Sequence, residues 1–145
     1  MVGDQTPLNT ATLRLKGGDA LLDEVVGKLQ LRVTSRFRAG EPRRRGGTHV
    51  DSGLSANIAD AANPDALMKQ VRAFIRECIK HGPTLFPAAV DAEIAVGFSV
   101  GDSVQFVASI ELLPADIRDL AAVGIAFTVA AYPTSDEASE TTNPK

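Results

Sequence analysis

Residues 10–16 alternate, with Ala11, Leu13 and Leu15 on one side and Thr12, Arg14 and Lys16 on the other. That period of two predicts a strand with one buried face. Gly17 and Gly18 break it, and Asp19 stands as an N-cap for a helix to about Leu29. Asp23 and Glu24 fall near the end that favours negative charge, and Leu22, Val25, Val26 and Leu29 recur at helical spacing. Gly27 weakens the last turn, since glycine in a helix costs about 1 kcal/mol relative to alanine.

The pattern is broken over residues 31–57. Leu31, Val33 and Phe37 suggest extended chain; Gly40, Pro42, Gly46 and Gly47 then mark a loop around a run of arginines. Residues 48–58 predict a second strand with a bend or bulge at Gly53. The next helix is the clearest element. Asn63 caps it, Pro64 takes the first helical position, and Leu67, Val71, Phe74, Ile75, Cys78 and Ile79 form one apolar stripe. Lys80 and His81 complement the macrodipole in the last turn, and Gly82-Pro83 stops the helix.

Two further alternating runs follow, Ile94-Val96-Phe98-Val100 and Val104-Phe106-Ala108-Ile110-Leu112. Gly101 and Asp102 between them predict a tight turn and hence a hairpin. Pro114 opens a short helix with Ile117, Leu120 and Ala121 inward, ending at Gly124. Ile125, Phe127, Val129 and Ala131 alternate in a closing strand. The resulting order is β-α-β-α-β-β-α-β. It predicts an α+β domain: a ferredoxin-like βαββαβ core preceded by an extra β-α unit, mostly antiparallel, with helices packed on one face. The domain is expected over residues 10–132, between a flexible N-terminus at 1–9 and a disordered polar tail at 133–145.

Composition narrows the class. The 145 residues are 44% hydrophobic and 23% charged, enough apolar content for one self-sufficient core. A single cysteine excludes an internal disulfide and a multi-cysteine zinc site, and points to a reducing, cytoplasmic setting. The first ten residues do not read as a secretory signal, and charged residues interrupt every apolar run before it reaches transmembrane length, so no membrane partner is expected. The net charge of −3 hides an asymmetry: residues 32–45 hold six arginines against Glu41, or +5, which leaves −8 elsewhere. An acidic total argues against nucleic acid as partner. So does the outward sheet face, which offers Tyr132 as its one aromatic where RNA-binding sheets show two or three.

Two surfaces could carry chemistry. The outward positions of the strands, among them Arg14, Ala95, Gly97, Gln105, Val107, Thr128 and Tyr132, mix small side chains that allow close approach with a few anchors. They suit a protein partner or self-association; the alternative is a solvated sheet face. The arginine loop, with Arg36, Arg38, Arg43, Arg44 and Arg45 near His49 and Asp51, suits a small anionic ligand, because arginine forks match phosphate and carboxylate. The alternative there is a solvated basic loop. No phosphate-loop, HExxH or GxSxG motif occurs, so no catalytic residue, metal or cofactor is assigned. Cys78 lies on the apolar stripe and reads as core.

Several phrases taken together resemble the bacterial family called domain of unknown function 4279. They are ATLRL and LDEVVGKLQL, the turn Phe37-x-x-Gly40-Glu41, the DSGL run at 51–54 and LMKQVRAFI. They continue with IAVGFSVGDSVQFVASIEL, Pro114-x-Asp116-Ile117-x-x-Leu120-Ala121, and a closing strand to Tyr132. The chain departs from the family in lacking tryptophan, His49 or a neighbour standing where the middle strand would carry one. The resemblance implies the fold and brings no activity. The reading is a non-enzymatic protein-interaction or binding module, immunity-like or regulatory, that uses the open sheet face. The alternative is an anion-binding or small-ligand protein, or an enzyme, with its site between the arginine loop and His49 and Asp51.

Overall fold

The computed structural model describes residues 8–134. Of the expected flexible ends, residues 1–7 and 135–145 lie outside the described residues. Within them the opening alternation forms β1 (Asn9–Gly17), in which Ala11, Leu13 and Leu15 are buried while Arg14 and Lys16 are exposed. Helix α1 (Asp19–Leu29) follows, with Gly18 rather than Asp19 as its N-cap and Asp19 in the first turn. A short strand, β2 (Val33–Phe37), and a longer one, β3 (Ser52–Asp60), come next. Helix α2 (Pro64–His81) starts as the sequence predicts: the Asn63 side chain accepts from the Ala66 amide at 2.8 Å, and Pro64 needs no partner for its nitrogen. The chain ends in β4 (Asp91–Val100), α3 (Pro114–Val123) and β5 (Ile125–Pro133).

The fold is α+β, with three helices and one five-stranded sheet in the order β2-β3-β1-β4-β5. β1 pairs antiparallel with both β3 and β4, β2 pairs antiparallel with β3, and β5 runs parallel to β4. α3 makes the crossover that a parallel pair requires. The inward positions of β1, β3 and β4 meet Leu22 and Val25 of α1, Leu67, Val71 and Ile75 of α2 and Leu120 of α3 in one core. The helices thus cover one face and leave the other open. No helix among the described residues is long and apolar enough to cross a membrane.

The expected hairpin between residues 94–100 and 104–112 does not form. β4 is already flanked by β1 and β5, so no edge remains for a second arm. Local bonds also claim the chain: Asp102 Oδ1 accepts from the amides of Val104 and Gln105, at 3.0 and 2.7 Å, and the Gly101 amide reaches the carbonyls of Gln105 and Phe106. Residues 101–113 become an irregular strap. Its alternation survives in part, because Ala108, Ile110 and Leu112 still pack against the core while Phe106 and Val107 face solvent. The true hairpin is β2–β3, so the last six elements run ββαβαβ instead of βαββαβ.

Two smaller expectations change as well. Gly53 is not a bulge: it pairs with Lys16 and Phe37 in regular register, and a Cβ there would fall 2.4 Å from Phe37 Cζ, so the glycine makes room for that ring. The irregularity lies opposite the Ala11–Thr12 step. On α3, Asp116, Leu120 and Val123 are buried, whereas Ile117 is 55% exposed.

Candidate functional site

The uncovered face of the sheet is built by register. Arg14 stands opposite Glu93 and Lys16 opposite Asp91 across β1 and β4; Ala126 and Thr128 of β5 stand beside Glu93 and Ala95. Arg14 Nη1 lies 3.8 Å from Glu93 Oε1, and the Thr128 hydroxyl donates to the same carboxylate. Farther along, Tyr132 lies over Gly97, where a Cβ would meet its ring at 3.2 Å. Alternation in β2 sends Phe37 to this face and its neighbour Arg36 to the other. A groove of about 690 Å³ results, walled by Arg14, Lys16, Phe37, Asp91 and Glu93 and closed toward β5 by Gly124 and Ala126.

At the Lys16–Phe37 end the groove meets a second hollow, of about 420 Å³, lined by Arg43, His49, Val50 and Asp51 as well. This hollow lies at the base of a finger formed by residues 38–51. Gly40 donates to the His49 carbonyl, His49 to the Glu41 carbonyl, and Pro42 bridges Thr48. At the tip the Gly46 amide closes a turn on the Arg43 carbonyl, and Gly46 and Gly47 take φ of 99° and 73°, which side-chain-bearing residues rarely adopt. The His49 ring stacks on Phe37 with centroids 4.1 Å apart and planes at 20°. Among the described residues no carboxylate lies within ion-pair distance of Lys16 or Arg43.

The expected anion-binding set therefore divides. Arg43, His49 and Asp51 converge on the hollow, and Arg44 and Arg45 are exposed at the fingertip. Arg36 and Arg38 are engaged elsewhere. Arg36 bonds Asp23 at 2.7 Å and Asp19 at 3.1 Å, and Arg38 bonds Asp19 at 3.0 Å, which ties the β2 edge to α1. Arg36, bonded to it, holds the Asp19 carboxyl below its usual range, and Asp23 with Asp19 raises Arg36 above its own. These two arginines fasten the β2 edge to α1 and do not line the hollow.

The expected interaction face divides too. Arg14, Ala95, Gly97, Thr128 and Tyr132 share the open face. Gln105 and Val107 do not, because the strap that carries them never joins the sheet. Gln105 is buried, donating to Asn9 Oδ1 at 2.9 Å and the Ser99 carbonyl at 2.8 Å, and Asn9 donates back to it. Val107 stands beside Asn63, Pro64 and Lys69 at the start of α2. The missed contributors are Phe37, Ser55 and Asp91. For Phe37 the signal is β2 itself: once Val33–Phe37 is a strand next to β3, alternation puts Phe37 on the open face, as alternation in β3 and β4 does for Ser55 and Asp91.

Cys78 and His81 lie away from the groove. Cys78 is fully buried, and burial pushes its thiol up to about 12. His81 Nε2 lies 3.6 Å from Glu77 one turn back on α2. Among the described residues no group of three or more His, Cys, Asp or Glu side chains could hold a metal ion. No protein-family model matches the chain, and no curated protein matches it at a significant level.

Proposed function

We propose that the protein is a non-enzymatic binding module, an immunity-like or regulatory accessory protein of a bacterial cytoplasm, which holds a protein partner against the open face of its sheet. One observation carries the reading: a groove with a charged rim crosses the sheet face that no helix covers among the described residues. Small residues at Ala95 and Ala126 let a partner approach closely, while Lys16 and Arg43 are cations not spent on ion pairs among the described residues. Arg14 and Glu93 bring both signs of charge, which favours specificity and register over bulk affinity.

Membership of domain of unknown function 4279 belongs to the same proposal, as does a ferredoxin-like description of the fold. The first six elements run βαββαβ and their strands lie in the order β2-β3-β1-β4, which supports that description with α3 and β5 as an addition after the core.

Affinity capture from the native host with three forms of the chain tests the reading. Wild type and Val107→Arg, whose change lies beside α2, are expected to retain the same protein, and Ala126→Arg on the open face to lose it. Retention by Ala126→Arg would count against the open face. A second reading, a small anionic ligand in the hollow at the finger base, is favoured by Lys16 and Arg43 beside the Phe37–His49 stack. It expects inorganic phosphate or a short acidic peptide to bind with an affinity that falls steeply with salt and drops in Arg43→Ala.

A further inference from the structure

The two edges of the sheet are built differently. β2 has five residues, a register shift between Val33 and Ser35, a charged Arg36 held by α1, and the finger rising from its end. Short length, irregularity and charge are the usual means of keeping an edge from pairing. β5 has none of these three, and its one edge-blunting residue, Pro133, stands at the last position of the strand. Its nine residues, Ile125–Pro133, run straight along β4 in unbroken register and include no charged side chain. A strand of that length exposes an edge about 30 Å long, with backbone N–H and C=O groups directed outward. Among the described residues β5 pairs with β4 only. The helix layer also stops short of this edge: Val129 lies on the helix-covered side of the sheet yet is 48% exposed.

We propose that β5 pairs antiparallel with β5 of a second copy about a two-fold axis at Val129, joining two sheets into one of ten strands. The size pattern of the strand is what selects a second copy. For both helix layers to lie on the same side of the joint sheet, the register must place a residue on the axis, because a shift by one residue exchanges the faces. Centring on Val129 overlaps all nine residues. It sets Phe127 against Ala131 on the helix side, and Tyr132 against Ala126 and Thr128 against Ala130 on the open side. Phe127, Tyr132 and Thr128 thus each face an alanine, Ile125 faces Pro133, Val129 meets its own copy, and no like charges meet. An isologous interface requires this kind of self-complementarity. The two proposals share Ala126, which closes the groove and also pairs across the axis; Val129 is on the helix-covered side and outside the groove, so Val129→Lys tests the dimer alone.

Light scattering on the full chain across a concentration series is expected to give twice 15.3 kDa. Val129→Lys, which brings two ammonium groups together on the axis, is expected to give a monomer with an unchanged circular dichroism spectrum. Val33→Lys on the β2 edge is expected to remain a dimer. Val129→Cys should be joined to its copy by a short bis-thiol cross-linker, because residues facing each other across such an axis have Cβ atoms about 4.5–5.5 Å apart. Cys78 is buried and does not confuse the result. A wild-type monomer at every concentration overturns the proposal, as does a Val129→Lys dimer, or a dimer whose Val129→Cys form does not cross-link. A chain that dimerises only after residues 135–145 are removed also overturns it, since that tail would then be the occupant of the edge.

Discussion

Leu13 and Arg14 are neighbours on β1 and face opposite ways. Leu13 is wholly buried against the helices, while Arg14 lies on the uncovered side of the same strand, opposite Glu93. The contrast extends across the sheet. One face carries Ala11, Leu15, Leu54, Ile94, Val96 and Phe98 into a continuous core; the other carries arginine, lysine, acids and small residues around a groove. Apolar burial supplies most of what holds such a domain together, so the two faces contribute unequally to stability although they share a backbone. The covered face makes the fold, and the open face contributes little to it, which leaves it available for the recognition proposed above.

Substitutions can break or sharpen that division. The largest effect is expected on the covered face: Leu13→Ala should cost about 2–5 kcal/mol in urea unfolding, because its neighbours from the helices cannot close the cavity. A loss below about 1 kcal/mol would mean that the core is looser than the burial implies.

An intermediate effect is expected at Asp116, where the strap joins the helices. Its burial would raise its pKa, but the Leu113 amide at 2.9 Å and the Arg72 guanidinium at 3.0 Å outweigh that and hold it below the usual carboxylate range. A depressed folded pKa means that the ionised form stabilises the fold. That stabilisation is complete above the unfolded carboxylate value, about 3.9, and is lost as pH falls through the lower folded value. Asp116→Asn should cost roughly 1–2 kcal/mol at neutral pH. It should also make the loss of stability below pH 4 shallower, as measured by unfolding midpoints across a pH series.

The smallest effect belongs to the open face. Arg14→Ala removes a long, solvent-exposed ion pair and should change stability by less than about 0.5 kcal/mol. A cost comparable to that of Leu13→Ala would erase the distinction between the faces.

Much of the covered face was legible in the sequence. The alternation of residues 10–16 and the Asn63-Pro64 start of α2 lead directly to β1 and α2, because local spacing and burial agree there. The strap misled for a physical reason: Val104, Phe106 and Ala108 alternate like a strand, but pairing is decided by which edge is free, and β5 returns from α3 to take the edge of β4. β2 was obscured in the opposite way. Its side chains are largely exposed or ion-paired, so Val33–Phe37 lacks the apolar rhythm, and the long finger separates it from β3. The candidate site suffered from both. The pattern of a hairpin that does not form predicts Gln105 and Val107 on the open face, while the strand that does form, β2, brings Phe37 there without an apolar rhythm to announce it. Charge alone could not separate Arg36 and Arg38 from Arg43; their partners Asp19 and Asp23 lie one element earlier and meet them only in the folded chain.

Lysine acetylation of the captured complex tests the division of the two faces most directly. Lys16 lies on the open face, Lys28 is exposed on α1, and Lys69 and Lys80 are exposed on α2. The partner is expected to protect Lys16 and leave Lys28, Lys69 and Lys80 as reactive as in the free protein. Protection of Lys69 or Lys80 with Lys16 still fully reactive would place recognition on the helices and contradict the account.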